Sequence, residues 1–255
     1  MTKDKSGRSP WLWIPTLYVA EGLPYFAVNT LTVLMYTNMG VGLADMAFFT
    51  GWLYFPWVVK PLWSPFIDLF KTKRQWVIAM QLLMAVSLAC IAFFLPTSAF
   101  FATTLFFFWI TAFLSATHDI AADGYYMLEL DSHRQAAFVG VRSTFYRVAS
   151  VIGQGGLVIL AGKLEETLGN VPAAWATVFY LLAAFFLAVG LYHIRFMPRS
   201  AHDRPAPGVT AKTIVKDFAD AFTTFFSKPG IWTALAFMLL YRLPEALCIK
   251  MVQPF

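Results

Sequence analysis

The sequence predicts an all-α polytopic membrane protein, on three observations. Hydrophobic residues make up 59% of the 255 positions and charged residues only 13%, whereas soluble domains average roughly 45–50% apolar and about 25% charged. The apolar residues form runs long enough to cross a bilayer, and the basic residues gather in alternate connections. This composition excludes a disordered chain, a collagen-like chain and a soluble enzyme.

Seven segments are apolar and long enough to span a membrane, which takes about 20 residues per helix. They cover approximately residues 11–37, 44–66, 76–95, 99–127, 138–162, 172–195 and 231–255. Thirteen Lys and Arg residues fall at the amino terminus and in the second, fourth and sixth connections, against Lys163 alone on the other side. By the positive-inside rule the amino terminus is cytoplasmic. The net charge of +5 therefore reflects topology, and no nucleic-acid partner is expected.

The order of these segments predicts three parts. Residues 1–196 form an amino-terminal bundle of six helices, residues 197–230 a cytoplasmic linker, and residues 231–255 the first helix of a second bundle. Within the linker, apolar residues spaced three or four apart over 209–226 favour an amphipathic helix on the membrane surface, although a plain polar linker stays open. Leu-Pro occurs at 23–24 and again at 243–244, which suggests a parallel repeat. We therefore expect the chain to be a truncated piece of a protein with about twelve helices.

Charged residues inside the spans are the candidates for function, because a charge at the bilayer centre costs at least about 2.5–3.5 kcal/mol and usually faces a partner or an aqueous path. Glu21 lies near the middle of the first span and shares a helix face with Asn29. In the fourth span, Asp119 and Asp123 are four residues apart. The fifth span carries basic residues at matching depths, so the pairs Asp119–Arg147 and Asp123–Arg142 are both possible. A purely structural salt bridge is an equal alternative.

Further candidates lie on the second and seventh spans and at the cytoplasmic ends. Lys60, Ser64 and Asp68 are spaced by four residues and predict a polar stripe that leads to the cytoplasmic mouth. We assign proton or substrate handling to Glu21, Asn29, Lys60, Asp119, Asp123, Arg147, Arg242 and Glu245. We assign a cytoplasmic gate to Asp68, Lys73, Arg74 and Arg142.

An enzymatic function has little support in the sequence. The four histidines (His118, His133, His193 and His202) form no zinc motif, and there is no P-loop, nucleophile elbow or dinucleotide turn. The run Gly153-Gln154-Gly155-Gly156 lies within a span, where glycine permits close helix packing. No cofactor or metal ion is expected.

Four stretches together resemble the major facilitator superfamily, and more narrowly the AmpG-type muropeptide permeases and the related acetyl-CoA transporter-like group. They are GLP at 22–24, VKPLWSPFID at 59–68, SATHDIAAD at 115–123, and YR at 146–147 followed by GG at 155–156. Tyr241-Arg242-Leu243 with Glu245 is similar to a pattern in the family's seventh helix. His118 stands where the family usually has Gln, and Glu21 where the permeases have a small residue.

This resemblance implies a proton-coupled secondary transporter of the bacterial inner membrane that works by alternating access. Its substrate would be an amphipathic solute such as a muropeptide or an amino-sugar derivative. Its partners would be this small molecule, protons, the lipid bilayer and the missing carboxy-terminal half. Uptake of a siderophore, acetyl-CoA or another sugar stays open, as does a non-transporting receptor or scaffold. Ionisable residues within the spans favour a transporter over a scaffold.

Overall fold

The computed structural model describes residues 8–200, with the backbone alone at 68 and 69, and also residues 203, 216, 219–220, 223–224, 226–237 and 240. It divides the chain into two compact units, Met1–Ala206 and Pro207–Phe255. The described residues are helical apart from short connections, and no strand occurs among them. The predicted all-α class is therefore confirmed.

The described part of the first unit contains six helical segments, one for each of the first six predicted spans. They are α1 (residues 14–38), α2 (43–69), α3 (Lys73–Phe94), α4 (Phe100–Glu129), α5 (Ser132–Leu168) and α6 (Val171–Phe196). The last four are each long and apolar enough to cross a membrane as a single helix. Segments α1 and α2 are not among the helices that meet this criterion.

The interruptions of α1 and α2 follow from their prolines. Segment α1 consists of Ile14–Phe26, a π-helical turn at Ala27–Leu31, and Thr32–Asn38. Segment α2 consists of Leu43–Gly51, Trp52–Tyr54, Phe55–Val59, Lys60–Leu62 and Ser64–Leu69. Pro24 precedes the π turn, and Pro56, Pro61 and Pro65 lie in α2. A proline lacks the N–H that continues the helical ladder, and such breaks inside a membrane are tolerated where they line a cavity or contact protein.

The helices pack in two groups. Helix α3 packs against α4 and α6, while α1 packs against α5 and α4. The α1–α5 contact is close because glycine lies on both sides of it. A Cβ at Gly22 would come within 2.8 Å of the Ala149 Cβ, and a Cβ at Gly153 within 2.7 Å of the Phe26 Cβ. The predicted packing role is thus observed for Gly153, whereas Gly155 and Gly156 have open space around them.

Helix ends are closed by local hydrogen bonds. Thr72 and Gln75 form a reciprocal capping box at the start of α3. The Asp131 side chain accepts from the Arg134 N–H at 2.8 Å at the start of α5. The Asn170 side chain accepts from the Ala173 N–H at 3.0 Å at the start of α6. These caps fix where α3, α5 and α6 begin.

The second unit is described only at scattered positions. Residues 216, 219–220, 223–224 and 226 are helical, but the apolar positions that defined the predicted amphipathic helix lie outside the described residues. Residues 231–237 begin the predicted seventh helix. Arg242 and Glu245 lie outside the described residues.

Candidate functional site

A cavity of about 400 Å³ opens between α1, α2, α4 and α5. Three acidic and three basic side chains line it, and we call it the charged cavity. Its lining residues are Tyr18, Glu21, Lys60, Asp119, Asp123, Arg142, Ser143, Tyr146 and Arg147. Six of the sequence-predicted site residues therefore meet at one place. Because acidic and basic groups are equal in number, the cavity is close to charge balance.

Lys60 and Asp119 form an ion pair across this cavity. The Lys60 ammonium donates to Asp119 Oδ2, and the two side chains are 34% and 16% exposed. The contact joins the break in α2 to the middle of α4. This contact corrects the pairing of Asp119 with Arg147 that the sequence allowed. That pairing was based on depths along the α4–α5 hairpin alone, whereas Lys60 belongs to α2.

A second ion pair joins α4 to α5, and it is one of the two pairs that the sequence allowed. Arg142 Nη2 lies 2.8 Å from Asp123 Oδ1. The guanidinium also lies over the Tyr18 ring, 4.8 Å from its centroid, and 5.5 Å from that of Tyr126. Tyr18 in turn donates its hydroxyl to Asp123 Oδ1 at 3.3 Å. A carboxylate, a guanidinium and an aromatic face thereby hold one another in fixed positions.

Glu21 is the least exposed of the three acidic groups, at 7%. Its Oε2 atom has no hydrogen-bond partner within the described part of the chain. The close packing of the neighbouring Gly22 on Ala149 holds this turn of α1 against α5. A buried carboxyl oxygen without a partner is uncommon and marks a group that is not saturated by the fold.

Arg147 and Asn29 differ from their predicted surroundings. Arg147 lines the cavity but is exposed, and no described carboxylate lies within ion-pairing distance of it. Asn29 does not line the cavity; its Nδ2 donates to the Tyr25 carbonyl at 2.9 Å. The reason is the π turn at Ala27–Leu31, which adds a residue to the helical turn and shifts the register between Glu21 and Asn29.

Two of the predicted gate residues, Lys73 and Arg74, lie at the start of α3. Arg74 donates to backbone carbonyls at the end of α6, namely Ile194 O at 2.6 Å and Met197 O at 2.9 Å. Lys73 is buried at the start of α3. Arg142 belongs to the charged cavity, and the side chain of Asp68 lies outside the description. The gate role of this set stays a prediction.

A neutral polar network lies next to the charged cavity and was not predicted. His193 Nδ1 donates to Gln81 Oε1 at 2.9 Å, and Gln81 Nε2 donates to His118 Nε2 at 3.0 Å. Thr16 Oγ1 lies 2.9 Å from His193 Nε2. The three larger side chains are fully buried, and they join α3, α4 and α6, with Thr16 adding α1. The departure of His118 from the family's Gln was the only signal for it.

Sequence reasoning also missed three uncharged cavity residues: Tyr18, Ser143 and Tyr146. Tyr18 lies one turn before Glu21, and Tyr146 precedes Arg147, so helical spacing alone places both near predicted site residues. No group of three His, Cys, Asp or Glu side chains among the described residues is arranged to hold a metal ion. The chemistry available is that of carboxylates, cations and aromatic hydroxyls.

Comparison with known proteins decides the family. The sequence profile of the Major Facilitator Superfamily matches residues 16–247. The chain belongs to the major facilitator superfamily. It is accordingly an integral membrane protein of a transporter family, as its apolar helices require.

Two relatives within the superfamily are similar over nearly all of this chain. The anhydromuropeptide permease of Escherichia coli K12 is 26% identical over 243 residues, which is 92% of this chain and 46% of the permease. The putative transporter AmpG 4 of Rickettsia conorii is 23% identical over 251 residues, which is 94% of this chain and 58% of that protein. The chain spans about half the length of these major facilitator relatives.

Proposed function

We propose that this chain is the amino-terminal bundle of a proton-coupled transporter that imports a muropeptide or a related amino-sugar compound. The observation that carries the proposal is the charged cavity, where six ionisable side chains converge between four helices of a membrane protein. Such groups are costly in a membrane and mark substrate and ion pathways. The similarity to an anhydromuropeptide permease supports the substrate class.

The cavity has the groups that such a substrate requires. A muropeptide joins an amino sugar to a short peptide, so it offers hydroxyls, amides and a carboxylate. The exposed guanidinium of Arg147 suits a carboxylate, because Arg binds it in a bidentate manner. The Tyr146 side chain beside it offers an aromatic face and a hydroxyl for the sugar. In this proposal Arg147 binds substrate directly, and the Lys60–Asp119 and Asp123–Arg142 pairs shape the walls.

Glu21 is the proposed proton carrier. It lines the same cavity as both ion pairs, yet one of its oxygens has no described partner. Adding or removing a proton there changes the charge of the cavity by one. The two accessible states of the transporter surround the Glu21 side chain differently. Protonation of Glu21 therefore shifts the equilibrium between these states.

Alternating access in this proposal needs a second bundle facing the first. The chain spans about half the length of its relatives, which supports a carboxy-terminal partner bundle. The excess of basic residues in alternate connections supports a cytoplasmic amino terminus, and the relatives support the bacterial inner membrane.

The test is uptake of a labelled anhydromuropeptide into proteoliposomes with an imposed pH gradient. One preparation contains this chain alone, and a second contains it together with the carboxy-terminal bundle of the Escherichia coli relative. We expect accumulation in the second preparation only, and its loss when a protonophore collapses the gradient. Accumulation by the chain alone would contradict the need for a second bundle. Accumulation that ignores the gradient would contradict proton coupling, and no accumulation in either preparation would contradict the substrate.

A further inference from the structure

A separate pocket of about 450 Å³ lies where α3 begins and α6 ends. Four arginines line it, Arg8, Arg74, Arg195 and Arg199, and we call it the arginine pocket. Its remaining walls are Ile194, Met197 and Pro198. Nothing in the transport proposal uses this pocket, which lies outside the lining of the charged cavity.

The helix-end carbonyls of α6 and the carboxylate of Asp203 already accept hydrogen bonds from the protein. The last carbonyls of α6, which have no partner within their own helix, accept from Arg74 and Arg8: Arg74 donates to Ile194 O and Met197 O, and Arg8 donates to Arg195 O. The buried Asp203 carboxylate accepts from the backbone N–H groups of Lys73 at 2.6 Å and Arg74 at 2.9 Å. These contacts position the guanidinium groups and leave the carboxylate committed to the start of α3.

The four guanidinium groups retain N–H donors for which the described residues supply no acceptor. Each guanidinium carries five N–H groups in a fixed fork, while Arg74 donates to three carbonyls and Arg8 to one. Arg195 and Arg199 are exposed, and the Arg195 guanidinium lies 5.6 Å from the centroid of the Phe196 ring. Across the described residues, no carboxylate lies within ion-pairing distance of any of the four. Four positive charges around one pocket repel one another, and an anion bound between them would offset this repulsion.

The position of the pocket selects the anion. The pocket lies at helix ends. Trp11, Leu12 and Trp13 come immediately before α1, and the Tyr192 hydroxyl of α6 donates to the Leu12 carbonyl at 2.6 Å. Trp11 and Leu12 are 60% and 40% exposed. Exposed tryptophan beside basic residues at the end of a spanning helix is typical of the lipid headgroup region. A phospholipid in the headgroup region would place its phosphate level with the arginines and its acyl chains beside the neighbouring apolar side chains.

We propose that the arginine pocket binds the phosphate of an anionic phospholipid. Guanidinium groups bind phosphate oxygens in a bidentate manner, and basic pockets between membrane helices bind such headgroups. The lipid would hold the start of α3, the end of α6 and the chain before α1 together, because each supplies at least one of the arginines.

The test measures lipid binding by the purified 255-residue chain in neutral detergent, by native mass spectrometry and by the midpoint of thermal unfolding. Phosphatidylglycerol is compared with zwitterionic phosphatidylcholine and with inorganic phosphate. We expect phosphatidylglycerol to bind more tightly and to raise the midpoint. Arg199→Gln weakens its binding about fivefold, since each basic residue at a membrane surface contributes about 1 kcal/mol. Arg199→Lys recovers part of that loss.

Lys163→Gln is the matched control, because it also removes one exposed positive charge but lies on α5, outside the pocket lining. Equal weakening by Lys163→Gln and Arg199→Gln would show that only net charge matters and would overturn the proposal. Equal binding of phosphatidylglycerol and phosphatidylcholine would overturn it as well. A midpoint raised as much by inorganic phosphate as by phosphatidylglycerol would overturn a lipid as the occupant.

Discussion

Two polar regions share helix α4 and differ in how they handle polarity inside a membrane protein. Asp119 belongs to the charged cavity, whereas the preceding residue, His118, belongs to the neutral polar network. The cavity holds six ionisable groups, two ion pairs and partly exposed side chains. The three larger side chains of the network are fully buried, and its hydrogen bonds require a neutral His118, since His118 Nε2 accepts from the Gln81 amide.

This difference indicates that the two polar regions on α4 have different roles. Charged pairs are tolerated where a cavity admits water, and sealed positions are filled by uncharged groups that hydrogen-bond to one another. His118 Nδ1 is an exception, since it is buried without a hydrogen-bond partner among the described residues. The neutral network ties α3, α4 and α6 together and so forms a scaffold. The charged cavity lies against α1, α2 and α5, where the backbone is interrupted at Ala27–Leu31, Lys60–Leu62 and Ile152–Gly156. We therefore expect substitutions to separate into functional and structural effects by region.

The largest effect is expected at Asp119. Asp119→Asn leaves the Lys60 ammonium without its partner, at a cost of about 1–3 kcal/mol, and we expect it to abolish uptake while membrane abundance stays measurable. The reversed pair, Lys60→Asp with Asp119→Lys, should restore abundance. The single variants and the reversed pair are compared with the parent in a double-mutant cycle, which measures membrane abundance and uptake into the two-bundle proteoliposomes.

The control for Asp119→Asn is Asp45→Asn, which makes the same chemical change at an exposed position on α2. It should leave uptake and abundance unchanged. Uptake by Asp119→Asn at the level of the parent would show that the ion pair has no part in transport.

The next effect concerns the neutral network. Gln81→Leu removes the side chain that bridges His118 and His193, and two buried imidazoles then lose a hydrogen bond. We expect about 2–4 kcal/mol lower stability, measured by unfolding in detergent. Gln154→Leu makes the same change at an exposed position and should change stability by less than about 0.5 kcal/mol. If the two variants unfold alike, the network is not a scaffold.

A smaller effect is expected where α1 meets α5. The Cβ of Gly153→Ala would lie 2.7 Å from the Phe26 Cβ, whereas that of Gly156→Ala meets nothing within 4 Å. We expect about 1–3 kcal/mol of destabilisation from the first, because overpacking strains both helices, and almost none from the second. Both variants are compared by thermal unfolding, and equal midpoints would contradict the close approach of the two helices.

The smallest effect on stability is expected at Arg147. It has no ion-pair partner among the described residues and is exposed, so Arg147→Gln should change the free energy of unfolding by less than about 0.5 kcal/mol. Denaturation of the purified protein measures this. A loss of several kcal/mol would instead support the Asp119–Arg147 pair that the sequence allowed.

How much the sequence could predict depends on the distance over which each contact acts. Span lengths and charges located α1 to α6. Counting residues from the α4–α5 turn gave Asp123–Arg142 as one of two possible pairs, because both residues lie on one hairpin. The partner of Asp119 could not be found in this way, since Lys60 comes from another hairpin. The position of Asn29 was also unpredictable, because a π turn adds a residue that no spacing rule anticipates. The neutral network joins four helices through single polar residues, none of which forms a motif.

The central claim is that Glu21 carries the coupled proton within the charged cavity. It is tested most directly by comparing gradient-driven accumulation with substrate counterflow for Glu21→Gln in the same two-bundle proteoliposomes. Counterflow needs binding and alternating access but no proton gradient. The account predicts that Glu21→Gln retains counterflow and loses accumulation against the substrate gradient. Proton-driven accumulation equal to that of the parent would contradict it.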